Sequence, residues 1–309
     1  MDIDTSGIRW GLCCLFSDRQ PHFRQATAAY MNRLGEERAH RYLADVAGAN
    51  VIALWHALER CHELGICAFR INSQMLPLAT HPVWGYNVVD LPGGSVIEAG
   101  LRASADLAVE YGISLSVHPD QYNVLNSETE RVVAATIIEI EQQAWFCEAV
   151  GASTICLHGG SKAGGIAAAQ ERLRGGIERL SDRARSRLAL ENDDRSYTVA
   201  DLLPVCTEME IPLIYDVHHH RCNPDDLNVE AATDLALTTW CARATLPLMH
   251  LSSPRIPWGE GDPRPHADFV NPLDIPRCWS GINAIVDVEA KAKERAVMEL
   301  YRMNAEHLL

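Results

Sequence analysis

Missing from the 309-residue sequence is any Cys-x-x-Cys pair, although ten cysteines are present. That absence excludes a zinc ribbon and a thioredoxin-like redox motif. Apart from the neighbours Cys13 and Cys14, the cysteines are scattered singly, several inside apolar stretches, and read as buried thiols kept reduced in the cytosol. No apolar run reaches the ~18 residues of a membrane span. Nor do residues Met1 to Thr5 carry the basic or apolar segment of a secretory leader. A cytoplasmic protein with no membrane partner and no obligate protein partner is the expectation. Low-complexity tracts, long linkers and self-similar repeats are lacking too. Positive charge is scarce: 27 Lys and Arg face 41 Asp and Glu, a net charge of −14. A protein that coats nucleic acid nonspecifically needs the opposite balance, because it binds by releasing phosphate counterions. The objection stands, offset in part at a carboxylate-rich site by its own divalent cations, each of which brings about two positive charges to where substrate approaches.

What the sequence does contain is an alternation of short β-branched runs with longer helical stretches. Strands are predicted at 8–16, 66–71, 113–117, 153–157, 187–190, 211–215, 246–251 and 282–288. Helices are predicted at 36–64, 95–111, 128–150, 166–185, 198–209, 228–243 and 292–308, and Gly65, Gly112 and Gly151 stand where three of them stop. Eight strands with intervening helices predict the α/β class and a single (β/α)8 TIM barrel, one domain over residues 1–309. An open doubly wound sheet would carry a glycine-rich phosphate turn after its first strand, and Gly11-Leu12-Cys13-Cys14 is not one. The loop from Gly159 to Gly165 is glycine-rich but does not end in the Lys-Ser/Thr of a P-loop.

Position carries the chemical information. Successive strands end in or next to His118, His158, Glu191, Asp216, His250 and Glu289, so one barrel mouth receives six side chains of metal-ligand type. Any one of them alone reads more readily as a hydrogen-bonded structural residue. Gathered together without cations, they would be costly to bury. His219, three residues after Asp216, and His266, in Pro265-His266-Ala267-Asp268, can complete the set, which then has room for two or three divalent ions. Mixed imidazole and carboxylate donors suit manganese, zinc or iron better than calcium or magnesium. Glu191, Asp216 and Glu289 are the carboxylates expected to serve catalysis as well as ligation. Within His218-His219-His220 the flanking imidazoles read as supporting or solvated, and His22, His40, His56, His62, His81 and His307 read as surface or helix residues. Such a cluster supports metal-assisted hydrolysis. It equally supports isomerisation, epimerisation or iron-dependent oxidation of a small molecule.

The run His118-Pro119-Asp120-Gln121-Tyr122-Asn123-Val124-Leu125-Asn126-Ser127 resembles the HPxQ(F/Y)xxLNS signature of the UV damage endonuclease family. The resemblance continues, in the family's order, through Phe69 to Ser73, Leu157 to Gly160, Leu190 to Thr198, Tyr215 to His220, His250 to Arg255, Pro265 to Asp268 and Glu289 to Glu294. It implies a barrel related to apurinic endonucleases and xylose isomerase-like enzymes, acting on damaged double-stranded DNA and cutting 5′ to the lesion, with manganese as the first candidate metal. Carried over by motif, the ligands are the same eight residues. Gln121 and Tyr122 would then probe the damaged duplex opposite a flipped lesion. Lys162 and Arg255 are candidates for phosphate contacts because they place cations near the same face.

Two departures stand out. The family's N-terminal segment resembles RLGY, whereas this chain reads Arg9-Trp10-Gly11-Leu12, so leucine replaces an aromatic residue expected near the lesion pocket. Two residues before the strand-seven histidine the family often has a lysine that assists the metal site, and here that position is Leu248. These departures leave open a small-molecule metalloenzyme on the same barrel, or a lesion-binding protein that has lost turnover.

Overall fold

The computed structural model describes residues 5–306. Eight strands pair in parallel and in sequence order: β1 (Ile8–Cys13), β2 (Ala68–Ile71), β3 (Ser114–Val117), β4 (Thr154–His158), β5 (Leu188–Glu191), β6 (Leu213–Asp216), β7 (Leu248–Leu251) and β8 (Ala284–Val288). The last strand closes on the first, from Ile8 opposite Ala284 to Leu12 opposite Val288, so the sheet has no free edge. The fold is the (β/α)8 barrel expected from the alternation. Around it run α1 (Ala28–Leu34), α2 (Glu36–Glu63), α3 (Gly94–Glu110), α4 (Glu130–Val150), α5 (Ile166–Glu178), α6 (Asp182–Arg185), α7 (Val199–Met209), α8 (Val217–Cys222), α9 (Val229–Thr238) and α10 (Glu294–Ala305). Among the described residues no helix is long and apolar enough to cross a membrane.

Local chemistry explains where elements differ from the sequence expectation. The first strand ends at Cys13 rather than at residue 16 because Cys14 takes a positive φ of 65° and turns the chain, its amide donating to Arg70 O. The helix expected over 166–185 is two helices, since Ser181 breaks it and caps the second, its hydroxyl accepting from Ala184 N. The ninth helix stops at Thr238, short of residue 243. Two helices had no counterpart in the expectation. One is α1, capped by the Thr27 hydroxyl, and the other is α8, which Asp216 caps. The final helix was expected to reach residue 308, and its last three expected positions straddle the end of the described residues.

Alternation along each strand sorts the side chains into two layers. Leu188 and Leu190, Leu213 and Tyr215, Met249 and Leu251, Val286 and Val288 join the large core between barrel and helices. Their alternates Ala68, Cys156, Ala189, Ile214, Leu248 and Ile285 form a separate apolar cluster inside the barrel, closed by Trp240, whose indole N–H donates to Leu213 O. Continuing the inward parity upward gives Arg70, His158, Glu191, Asp216, His250, Asp287 and Glu289. The same period of two that fills the barrel floor with aliphatic side chains therefore sets a polar layer directly above it. Leu248 is part of that floor. Leu12, by contrast, belongs to the outer layer with Trp10, so its side chain points away from the barrel interior and the polar layer. The inward residue beside it is Gly11, where a Cβ would lie only 2.3 Å from Asp287 Oδ1.

Candidate metal centre

Glu191, fully buried at the end of β5, is the hub of the polar layer. Its Oε2 is 2.9 Å from His118 Nε2 and 3.7 Å from His158 Nε2. Its Oε1 is 3.0 Å from His250 Nδ1 and 3.3 Å from His219 Nδ1. Burial alone would raise the Glu191 pKa, but the surrounding imidazoles, His250 and His158 foremost, outweigh it and hold the carboxyl well below its ordinary range. The partners respond in kind. Burial opposes charging His250, yet Glu191 lifts it to about 9. His219 is likewise raised against its burial by Asp216 and Glu191. His158, farther from the carboxylate, goes down because burial dominates.

Asp216 does two things. Its Oδ1 accepts from His219 N at 2.7 Å, capping the short helix α8. Its Oδ2 is buried without a hydrogen-bond partner and lies 3.4 Å from His219 Nδ1. Asn192 locks the strand ends together, donating from Nδ2 to Asp216 O and accepting from Asp216 N, both at 2.9 Å. On the other side, Glu289 Oε1 accepts from Arg70 Nη1 at 2.6 Å and lies 3.6 Å from His250 Nδ1. His266 Nδ1 is 3.7 Å from Glu289 Oε2. An isolated bridge between Pro254 and His266, with Arg255 N donating to Pro265 O, folds the loop after β7 back so that His266 faces the ring. Burial would raise Glu289, but Arg70 and then His250 hold it far below the usual carboxylate range.

All eight residues singled out from strand ends and loops thus converge on one place. The donors fit divalent cations: carboxylates and imidazoles share too few protons among them to satisfy every atom. Besides Asp216 Oδ2, the buried atoms His158 Nδ1 and His250 Nε2 are left without partners. The sets Glu191, Asp216, His219 and His118, Cys156, Glu191 each bring their donor atoms within 4.8 Å of one another. Cys156 enters the second set as a thiol, since burial and the adjacent Glu191 push its pKa far up, and it donates to Glu191 Oε2 at 2.9 Å.

The ring lies at the base of a cleft of about 530 Å³. Gln121 and Tyr122 line its rim, with Tyr122 81% exposed. Lys162 and Arg255 are not among the cleft's lining residues. Lys162 pairs with Asp201 at 2.7 Å, beside the Tyr197 ring, and Arg255 projects from the surface. The sequence reading had passed over Arg70 and Asp287, although each is an ionisable residue inside an otherwise apolar strand, a detectable signal. Arg264 also lines the cleft and pairs with Asp194 at 3.3 Å. Asp287 is buried with both oxygens unpartnered, 3.8 Å from His250 Nε2 and 3.9 Å from Arg70 Nε, and burial raises its pKa. His218 is buried between Trp258 and His266 rather than solvated, and His220 is tied to Tyr215 and Asp225. The other described histidines stay away from the cleft: His56 pairs with Glu59, His62 stacks on Tyr111, and His81 accepts from Val83 N and Trp84 N. His307 lies outside the described residues.

Known proteins resemble this chain along its length. The sequence profile of the family described as UV-endonuclease UvdE matches residues 8–308. A UV-damage endonuclease of Neurospora crassa is 30% identical over 93% of this chain, which spans 45% of that protein's length. A UV DNA damage endonuclease of Bacillus velezensis is 30% identical over 89% of this chain and 86% of its own. The crystal structure of SacUVDE superposes with a TM-score of 0.84 at 26% identity, covering 98% of this chain and all of that one.

Proposed function

Because the chain belongs to the UV-endonuclease UvdE family, we propose that it is a metal-dependent endonuclease, one catalytic domain over residues 1–309, that nicks UV-damaged duplex DNA 5′ to the lesion. The observation that carries this reading is the ring itself: eight donor residues with Glu191 at the hub and Asp216 Oδ2 unpartnered, at the base of a cleft rimmed by an exposed aromatic side chain. His118, His158, Glu191, Asp216, His219, His250, His266 and Glu289 would hold two or three divalent ions, manganese first, with zinc or iron compatible with the same donors. Such ions supply Lewis acidity, which favours deprotonation of an attacking water and takes up charge on the scissile phosphate.

The chain's own residues prepare that chemistry. Glu191 gathers the imidazoles of His118, His158, His219 and His250 around its two oxygens, Asp216 sets His219, and Arg70 anchors Glu289 from the barrel wall. These three carboxylates are the catalytic ones in this reading, because their charge concentrates cations where the phosphate must lie. In this reading Tyr122 and Gln121, which line the cleft, would enter the base stack and offset the loss of stacking when a lesion is extruded. Arg255, exposed beyond the cleft, is the cation suited to backbone phosphates, whereas Arg264 at the cleft is paired with Asp194 and Asp262, and Lys162 with Asp201. The proposed setting is cytoplasmic.

A nicking assay tests the proposal. Manganese-loaded protein is expected to cut duplexes carrying a cyclobutane dimer or a 6-4 photoproduct and to leave 3′-hydroxyl and 5′-phosphate ends. Intact substrate after incubation with protein of verified metal content would overturn it.

A further inference from the structure

The opposite end of the barrel holds a second cavity, of about 340 Å³, at the start of β4 to β6. From Thr154 on its wall to His158 in the metal ring is one strand length, roughly 13 Å at ~3.3 Å per residue. Arg187 and Arg243 line it together with Ser186, Thr245 and Trp240. Nearby arginines are neutralised: Arg183 lies 3.6 Å from Glu148, and Arg185 lies 2.5 Å from Asp182. Among the described residues, neither Arg187 nor Arg243 has a carboxylate within 4.0 Å. Backbone carbonyls hold them instead. Arg243 Nη2 donates to Arg185 O and Leu188 O at 3.0 and 3.1 Å, and Arg187 Nη1 donates to Arg183 O at 3.1 Å.

Each guanidinium has five N–H bonds in a fixed fork, so most of these donors remain unused by protein. They are not among the buried unpartnered atoms, which leaves them open to the cavity and to solvent. In a chain of net charge −14, two unneutralised arginines lining one concavity are a local reversal of sign. Anion recognition by planar, bidentate donors is what such an arrangement does well. Burial with no opposing charge also lowers the Arg243 pKa, the penalty that a bound anion would remove.

We propose that this cavity is a binding site for a small oxyanion, inorganic phosphate or a phosphomonoester, gripped by Arg187 and Arg243. It is separate from the metal ring and does not rest on the nuclease reading. Calorimetric titration of the full-length protein with inorganic phosphate and with pyrophosphate tests it, repeated on R187Q and R243Q, with Trp240 fluorescence as a second signal. One saturable site is expected, weakened at least tenfold in both variants while their circular dichroism is unchanged. A binding phase that survives both substitutions belongs to the metal cleft, and if all binding survives them the proposal is wrong. Absence of saturable binding overturns it too, as does binding of duplex DNA but of neither small anion. If R243Q fails to fold, R187Q decides, because that change gives up only one carbonyl contact.

Discussion

The two ends of the barrel use the same strands to opposite effect. At the C-terminal mouth, ionisable groups of both kinds are packed together, a carboxylate at the hub is shared by four imidazoles, and several buried donor atoms are left without partners. At the N-terminal floor, aliphatic side chains and an indole seal the interior, and two arginines outside the seal are left without counter-charge. A strand of four or five residues is long enough to carry both environments because the inward positions alternate: Ala189 lies in the floor and Glu191, two residues on, in the ring. The contrast teaches that charge here is organised by layer, so a substitution should act on its own layer and leave the other intact.

The strongest way to break that separation is to remove the hub. Glu191→Gln is expected to lower nicking of a damaged duplex by about a thousandfold or more and to reduce bound metal per chain, read by metal analysis beside single-turnover kinetics. It also strips the counter-charge from His250 and His219, so the metal-free protein should lose about 3–5 kcal/mol in denaturant unfolding. Unchanged metal content in the variant would contradict the placement of Glu191. Asp287→Asn should act more mildly. Its carboxylate faces the far nitrogen of His250, and loss of a charge that orients a ligand histidine weakens metal binding by about 10- to 100-fold, measurable by competition with a chelating dye.

Protons offer a sharper probe of the mouth. His250, raised to about 9, and His219, raised as well, carry protons at neutral pH that an incoming cation must displace. Metal uptake is therefore expected to release protons, with affinity rising as pH climbs from the ordinary histidine value toward 9. Titration in buffers of different ionisation enthalpy reads this directly. Without metal the sign inverts. The raised pKa means that the stabilising charge is fully present below the unfolded value and is lost as pH passes the folded one. The melting temperature of metal-free protein should fall over that window. At the rim, Tyr122→Ala is expected to cost about 1–3 kcal/mol of lesion binding, the usual worth of one stacking contact, with little change toward undamaged duplex. Smallest of all, Arg187→Gln should leave nicking within twofold of the starting protein, since it lies in the other layer.

The fold was legible because eight short apolar runs alternate with helical stretches, three of which end at a glycine, and the ring was legible because its members sit at strand ends. What escaped did so for physical reasons. Arg70 and Asp287 occur within strands, where an ionisable residue in a short apolar run gives no hint of which face it takes until the barrel closes and Gly11 makes room for it. The layer that Leu12 takes was hidden for the same reason: parity in β1 is fixed only by its two neighbours, β2 and β8. The short helix α8 could not be read from periodicity, being six residues long and started by a side chain with another use. Lys162 looked like a free cation in a glycine-rich loop because its partner, Asp201, lies 39 positions away in the capping box of α7.

Asp216 makes ligand number and local folding a single quantity. One of its oxygens starts the helix that delivers His219, and the other is the open donor beside it. Replacing it would therefore subtract two donors at once, and a residue-by-residue scan of the ring would sum to more than the whole. Conversely, the helix and the pair of donors form together, so this part of the site is expected to be either assembled or absent, with no half-built state to misload.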